Sequence, residues 1–460
     1  MLKNLLSCSL ILLSFVGCNK PKDLNTFFGG KIINPKTNFV VLYSMDKALD
    51  TLQLDKNNRF LGKYKDIKEG LYYFVHGIEN QYIYLEENDS LMLRLNTWDF
   101  DESLVFAGKG AERNNILIDC FLEDEKDDKN FYKFNQLEPE QFKKKVDSIL
   151  YLKDITYKEY FFNHPNETIG FNNVLEVALK YPIYARAERY QIVHTKYNKD
   201  KDFHSLEASF YNHRKLARIN NDSLMYYPPY SRYIRNHLYN ATYSLGHKPM
   251  ANEYTSGFTV DLLKIIDGKI NSKKSKNAFL RQTVIGHFYR KSSCDINKDA
   301  FDTYFELSSN KEDKSHIRNL LSDSESIHKD KKLVDFELYD LTKGKHHIQK
   351  VVKNKNSLLF FWNPEYISPA YISSRMNFLS KKFPDIYFIQ IKIDGNSDDK
   401  IHKLDVKTQF YIDAKSEANN FLTSKMPRSI IIDKKGKVVN GFASVFSNKV
   451  YSQLKDLSKK

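Results

Sequence analysis

Cysteine is scarce in this chain: 460 residues hold four, at positions 8, 18, 120 and 294. So few sulfurs exclude a disulfide-framework protein, and none of the spacings is that of a zinc site or a redox pair. Beyond the first residues no stretch is long and apolar enough to span a bilayer; the uncharged run Leu358–Trp362 is far too short. The 13 histidines form no metal pattern, and adjacent His346 and His347 lack a Cys, Asp or Glu at supporting spacing. Gly29-Gly30-Lys31 lacks the Walker spacing, and residues 108–113, GKGAER, carry no dinucleotide fingerprint. No serine sits in a nucleophile elbow between strand and helix, and no internal repeat of fixed period occurs. These absences leave a cofactor enzyme without support: no cofactor or metal is expected.

What is present begins with a hydrophobic fraction of 41%, enough for real cores and against a disordered chain. The length suits two to four domains, at roughly 100–200 residues each. Tyr and Phe are plentiful, at 30 and 32, which suits half-buried surfaces and equally a Lys- and Asn-rich composition. The net charge of +14 invites a nucleic-acid reading. The lysines are scattered among acidic residues, however, and no nucleic-acid fold signature appears, so a surface near anionic lipid headgroups is the better explanation.

The first residues supply a destination. Lys3 gives a short positive region, Leu5 to Val16 is mostly apolar, and Gly17-Cys18 precedes the polar run Asn19–Asp23. That layout is a secretory signal. A small residue directly before cysteine resembles the bacterial lipoprotein signal, which implies removal of residues 1–17, acylation of Cys18 and a membrane partner through the lipid anchor. Phe15 departs from the usual Leu three places before the cysteine. Asn19 lacks the Asp that commonly retains lipoproteins in the inner membrane, which favours the outer membrane of a cell envelope. Cys120 and Cys294 then either form one disulfide or remain two buried thiols.

The mature chain reads as multidomain α+β in three regions. Residues 24–111 alternate as short strands with Asp/Asn turns, predicting an antiparallel β sandwich or barrel. Residues 112–331 carry helical periodicity, with Pro139 in a first turn and further helices around 174–179, 203–216, 233–243, 259–270 and 277–288. The proline break Tyr226–Tyr233 carries four tyrosines and reads as a packed loop or a peptide groove. Residues 332–460 open with a hairpin turning at Gly344. Near-continuous apolar strands at 356–362 and 386–394 follow, separated by a helix at 368–383, as in a sheet buried on both faces. A helical stretch through 418–422, a strand, a Lys-Lys-Gly turn and a partner strand complete the order β-α-β-α-β-β-α.

Within that last region the letters FFWNPEYISPAY and MPRSIIIDKKGKVV carry a resemblance. They resemble the thioredoxin fold of the TlpA- and ResA-like envelope disulfide reductases, which typically read FWASWCGPC and VPTTFLIDKDGKIV. Residues 27–117 resemble the β domain that precedes thioredoxin modules in Bacteroidetes lipoproteins. The resemblance places Tyr366 where the attacking cysteine would stand, Pro369 where the resolving one would stand, and Pro427 on the loop proline that is normally cis. A thiolate at a helix N-terminus is the family's reagent. Neither a phenol nor a proline forms an exchangeable sulfur bond, so dithiol exchange at this site is excluded. The scaffold then either shapes the fold alone or retains a cleft of Glu365, Tyr366, Pro427 and Arg428 for a polypeptide partner; the alternatives are a thiol-disulfide oxidoreductase by ancestry or an enzyme of another class using Tyr366, Glu365 and Arg428. Ser368 is the expected cap of the following helix.

Overall fold

The computed structural model describes residues 25–459 except 46, 199–202, 204–205, 250–254, 294–295 and 395–403. Cys18 and Cys294 therefore lie outside the described residues, and so does any bridge between Cys294 and Cys120. The chain divides into two compact units, residues 1–127 with 157–178, and residues 128–156 with 179–460.

In the first unit, strands β1 (Asn25–Ile33), β4 (Arg59–Lys65), β7 (Ser90–Asn96) and β8 (Val105–Ala107) form one sheet in the order β4-β1-β7-β8. Strands β2 (Phe39–Ser44), β3 (Lys47–Gln53), β5 (Gly70–His76) and β6 (Glu79–Leu85) form another, ordered β3-β2-β5-β6. Their inward residues share one core, with Phe28 and Leu91 from the first sheet and Leu42, Phe74 and Ile83 from the second. The expected antiparallel pairing has one exception: β1 and β7 run parallel, a pairing no tight hairpin can make, and the chain between them passes through both sheets.

Helix α1 (Ala111–Phe134) opens with three consecutive polar residues that tie it to the strands. Arg113 Nη2 donates to both Asp89 oxygens at 2.7 Å, and its Nη1 meets Glu86 at 2.6 Å. The Asn114 amide bonds the N–H and C=O of Tyr84, and the Asn115 amide those of Phe106, each satisfying a strand residue as a neighbouring strand would. GKGAERNN is thus a strand-to-helix joint. Gly108 sits at φ 86°, where a Cβ would lie 2.1 Å from Ser90 O.

In the second unit, helices α2 (Pro139–Asn163) and α3 (Ile169–Tyr197) contribute their parts within 128–156 and 179–197. They are followed by α4 (Pro228–Tyr243), α5 (Ser256–Lys269), α6 (Lys273–Lys291), α7 (Asp299–Leu307) and α8 (Lys311–Glu325). Pro139 does open α2. Pro228-Pro229 open α4, and Tyr227, Tyr230 and Tyr233 are buried, so the tyrosine-rich break is a packed helix start. The helix expected at 203–216 is instead a 3₁₀ segment, Ala208–Lys215, kinked at Tyr211. That turn delivers His213 and Arg214 to Glu188, which is fully buried. Arg214 bonds both Glu188 oxygens, at 2.8 and 2.6 Å, while His213 and His237 meet Oε1 at 3.1 and 3.0 Å.

The C-terminal part of this unit is a seven-stranded sheet, β10-β9-β13-β12-β11-β14-β15. Its strands are β9 (Glu337–Tyr339), β10 (Lys345–His347), β11 (Ser357–Trp362), β12 (Tyr387–Lys392), β13 (Gln409–Tyr411), β14 (Arg428–Ile432) and β15 (Val438–Ala443). β9 and β10 form the expected hairpin. β11 is buried at every residue, parallel to β12 and antiparallel to β14. Helices α10 (Pro369–Lys382) and α11 (Lys449–Ser458) cover one face through Ile372, Met376, Leu379, Val450 and Leu454. The other face packs on Phe336, Ile348 of the short α9 (Ile348–Val351) and Phe421 of the 3₁₀ turn Glu417–Phe421. Strand β13, three residues long, escaped the sequence reading.

Candidate functional site

The site is built where β11 hands over to α10. Asn363 shapes the turn: its Oδ1 accepts from Glu365 N at 3.0 Å, and its carbonyl accepts from Tyr366 N at 3.0 Å and Ile367 N at 3.2 Å. Ser368 caps α10 as expected, its hydroxyl accepting from Tyr371 N at 3.3 Å, and Pro369 stands in the first turn. The helix N-terminus that would stabilise a thiolate is therefore intact, and a phenol stands before it. Tyr366 is 37% exposed, with its ring edge-on to the His316 ring at 6.0 Å. Burial and the neighbouring Glu365 raise the Tyr366 hydroxyl above its ordinary pKa, so it stays a neutral phenol. Burial lowers the His316 imidazole.

The opposite wall is the loop between the Glu417–Phe421 turn and β14. It does not present a free edge. Asp323, on α8 and 1% exposed, accepts from Thr423 N and Oγ1 at 2.8 and 2.7 Å through one oxygen. The other oxygen accepts from Ser424 N and Oγ at 2.9 and 2.7 Å. Tyr289, on α6, donates its hydroxyl to Pro427 O at 2.7 Å. Burial pushes that hydroxyl's pKa well up, so it remains a donor. Met426 N is turned inward to Ser424 Oγ at 3.3 Å. Helices of the same unit thus occupy the loop that one of the two readings reserved for a partner.

Two expectations change here. Arg428 does not line a cleft: it is 1% exposed, donating to Asp323 O at 2.9 Å, to Phe421 O at 2.5 Å and to Gly441 O. As the first residue of β14, opposite Phe361 on central β11, it points into the molecule. There its planar fork serves three carbonyls and stacks on Phe442 at 4.5 Å. The peptide bond before Pro427 is trans, since no described residue has a cis bond. Trans is the lower-energy form of an X–Pro bond, and Asp323, Arg428 and Tyr289 supply the loop's fixed points.

Glu365 and Tyr366 remain exposed, side by side, while Pro427 and Arg428 belong to the covered wall. Sequence reasoning missed Tyr289, His316 and Asp323. The Asn310 cap of α8, whose side chain accepts from Glu312 N and Asp313 N, was the available signal. His346 and His347 each have an acidic partner after all, Asp340 at 2.7 Å and Asp335 at 2.9 Å, but the partners differ. Cys120 is buried in α1 of the first unit.

No family model matches the chain, and no curated protein matches it. Solved structures do. A provisionally assigned thiol-disulfide oxidoreductase of Bacteroides vulgatus is 23% identical over 28% of this chain and 97% of its own, with a TM-score of 0.25. The thioredoxin domain of a second B. vulgatus thiol-disulfide oxidoreductase is 17% identical over 28% of this chain and 99% of its own, with a TM-score of 0.23. An exposed lipoprotein thioredoxin of Streptococcus pneumoniae is 23% identical over 27% of this chain and all of its own, with a TM-score of 0.22. At these scores the likeness carries no functional argument. The thioredoxin-like description of the C-terminal part rests on its own strand order and α10 geometry.

Proposed function

We propose that the chain is a redox-inactive, thioredoxin-like lipoprotein of a bacterial cell envelope, and that its C-terminal part scaffolds the helices of its own unit. The occupied loop carries this reading: Asp323 and Tyr289 take the hydrogen-bonding groups that a bound polypeptide would need. Tyr366 and Pro369 leave no sulfur at the helix entrance to exchange. A partner bound at the Pro427 loop is disfavoured by the same contacts, so any polypeptide partner would use another surface. The ancestral alternative, a working oxidoreductase, rests on resemblance alone.

Restoring the dithiol separates these readings. The full chain is expected to reduce neither glutathione disulfide nor insulin. The variant Tyr366→Cys/Pro369→Cys should react with glutathione disulfide, which needs only the helix entrance, yet leave insulin intact. Reduction by the unaltered chain would establish the oxidoreductase. Insulin reduction by the variant at the rate of an open thioredoxin site would sink the closed-loop reading and restore partner binding.

A further inference from the structure

The loop between α2 and α3, residues 164–168, lies at the end of the first unit where the chain enters β1. Thr26, the second residue of β1, donates its hydroxyl to Glu86 O at 3.1 Å, and Thr168 of the loop donates to Glu86 Oε1 at 3.2 Å. Phe27 N donates to Asp89 O at 2.8 Å, and Arg113 joins the Asp89 carboxylate to Glu167. Chain entry, β6–β7 turn and α2–α3 loop therefore share one end of the unit. The loop is held from beneath. Phe171, fully buried, packs on the Tyr84 and Tyr160 rings at 5.2 and 5.6 Å. Tyr160 donates its hydroxyl to Glu167 at 3.0 Å, and the Thr168 hydroxyl accepts from Phe171 N at 3.1 Å. Phe162, in the last turn of α2, and Ile169, the first residue of α3, stay outside this packing. At 86% and 79% exposed, they are the two most exposed large hydrophobic side chains among the described residues.

We propose that Phe162 and Ile169 dip into the lipid bilayer, so that the first unit stands on the membrane by its chain-entry end. The inference rests on the lipid anchor at Cys18 proposed above. Only six residues separate Cys18 from Asn25, a span of at most ~25 Å, so an anchored chain holds this end nearest the bilayer. Exposed apolar side chains brought there settle at the boundary between headgroups and acyl chains. Exposed Lys65 and Lys109 at this end are offset by exposed Glu87 and Glu112, so insertion depends on the apolar pair and needs no anionic headgroup. Trp98, 72% exposed, follows the far end of β7 and remains in water.

The test uses the full chain, isolated from membranes with its acyl chains and reconstituted in phosphatidylcholine vesicles. Bromine on the vesicle acyl chains quenches tryptophan fluorescence on contact, and flotation reports the anchor separately. The unaltered chain, whose tryptophans are Trp98 and the buried Trp362, should float and keep its emission. Phe162→Trp should float and lose about a third of its emission, one tryptophan in three, since an inserted side chain reaches ~5–10 Å into the headgroup–acyl boundary. Ile169→Trp reads the same insertion from the other side of the loop. Floating variants that keep their full emission overturn the docking and leave the anchor standing. A chain that does not float overturns both. Equal quenching of the unaltered chain would put Trp98 at the bilayer and overturn the orientation.

Discussion

Asp323 is one carboxylate holding two amides and two hydroxyls of a single loop, and its own carbonyl receives Arg428. Truncating it to alanine strands the buried N–H and hydroxyl of Ser424, while Thr423 lies at the surface. Asp323→Ala is expected to lower the unfolding free energy by about 3 kcal/mol, and Tyr289→Phe by about 1 kcal/mol; urea denaturation of the full chain measures both. Arg428 shows why such residues were hard to read in advance. Its neighbour Pro427 had a family position, and a cationic side chain beside a cleft is ordinarily placed outward. Only the register of β14 against β11 reveals that it points inward. Ser368 and Pro369 were legible because a hydroxyl followed by proline states a helix start locally.

Buried titratable groups make the stability depend on pH in a worked direction. His287, 1% exposed between Thr259 and Phe301, has its imidazole pushed down from 6.5 to about 4, chiefly by burial. The unfolded chain takes this proton first as pH falls. Stability is therefore full above pH 6.5 and declines towards pH 4, by up to about 3 kcal/mol. Burial alone would raise Glu188, but Arg214, His213 and His237 bring its carboxyl well below the ordinary range. Its contribution is present above pH 4.5 and is lost as pH falls further. Denaturation midpoints at stepped pH should thus decline in two stages, and His287→Gln should remove the upper stage.

At the scale of elements, the buried strands of the C-terminal sheet were plain in the sequence because helices on both faces demand unbroken apolar runs. β11 and β12 follow that rule. Helix α8 does not, and it was missed. Its buried residues are Ile317, Leu320, Asp323 and Ser324, so the apolar stripe ends after one turn and becomes the polar contact that closes the loop. The segment at Ala208–Lys215 was read as an α-helix and is a 3₁₀ turn, whose buried residues include a histidine aimed at Glu188. Where an element is held by hydrogen bonds more than by apolar burial, periodicity gives little warning. The restored-dithiol variant belongs to this scale, because it asks whether α6 and α8 still guard the loop once the chemistry of α10 is returned.

For the molecule as a whole, the proposed lipid anchor makes location depend on Cys18. Under that proposal, cell fractionation should find the native chain with membranes and a smaller share of Cys18→Ser there; no described helix is long and apolar enough to cross a bilayer. An unchanged distribution would remove the lipid anchor from the account. The closure of the Pro427 loop is the more central matter, and amide hydrogen exchange reads it directly on the full chain. The Thr423 and Ser424 amides should exchange as slowly as that of Ile430 in β14, and Asp323→Ala should release the first two while sparing the third. Fast exchange at Thr423 and Ser424 in the unaltered chain would mean an open loop, and the scaffold reading would fall.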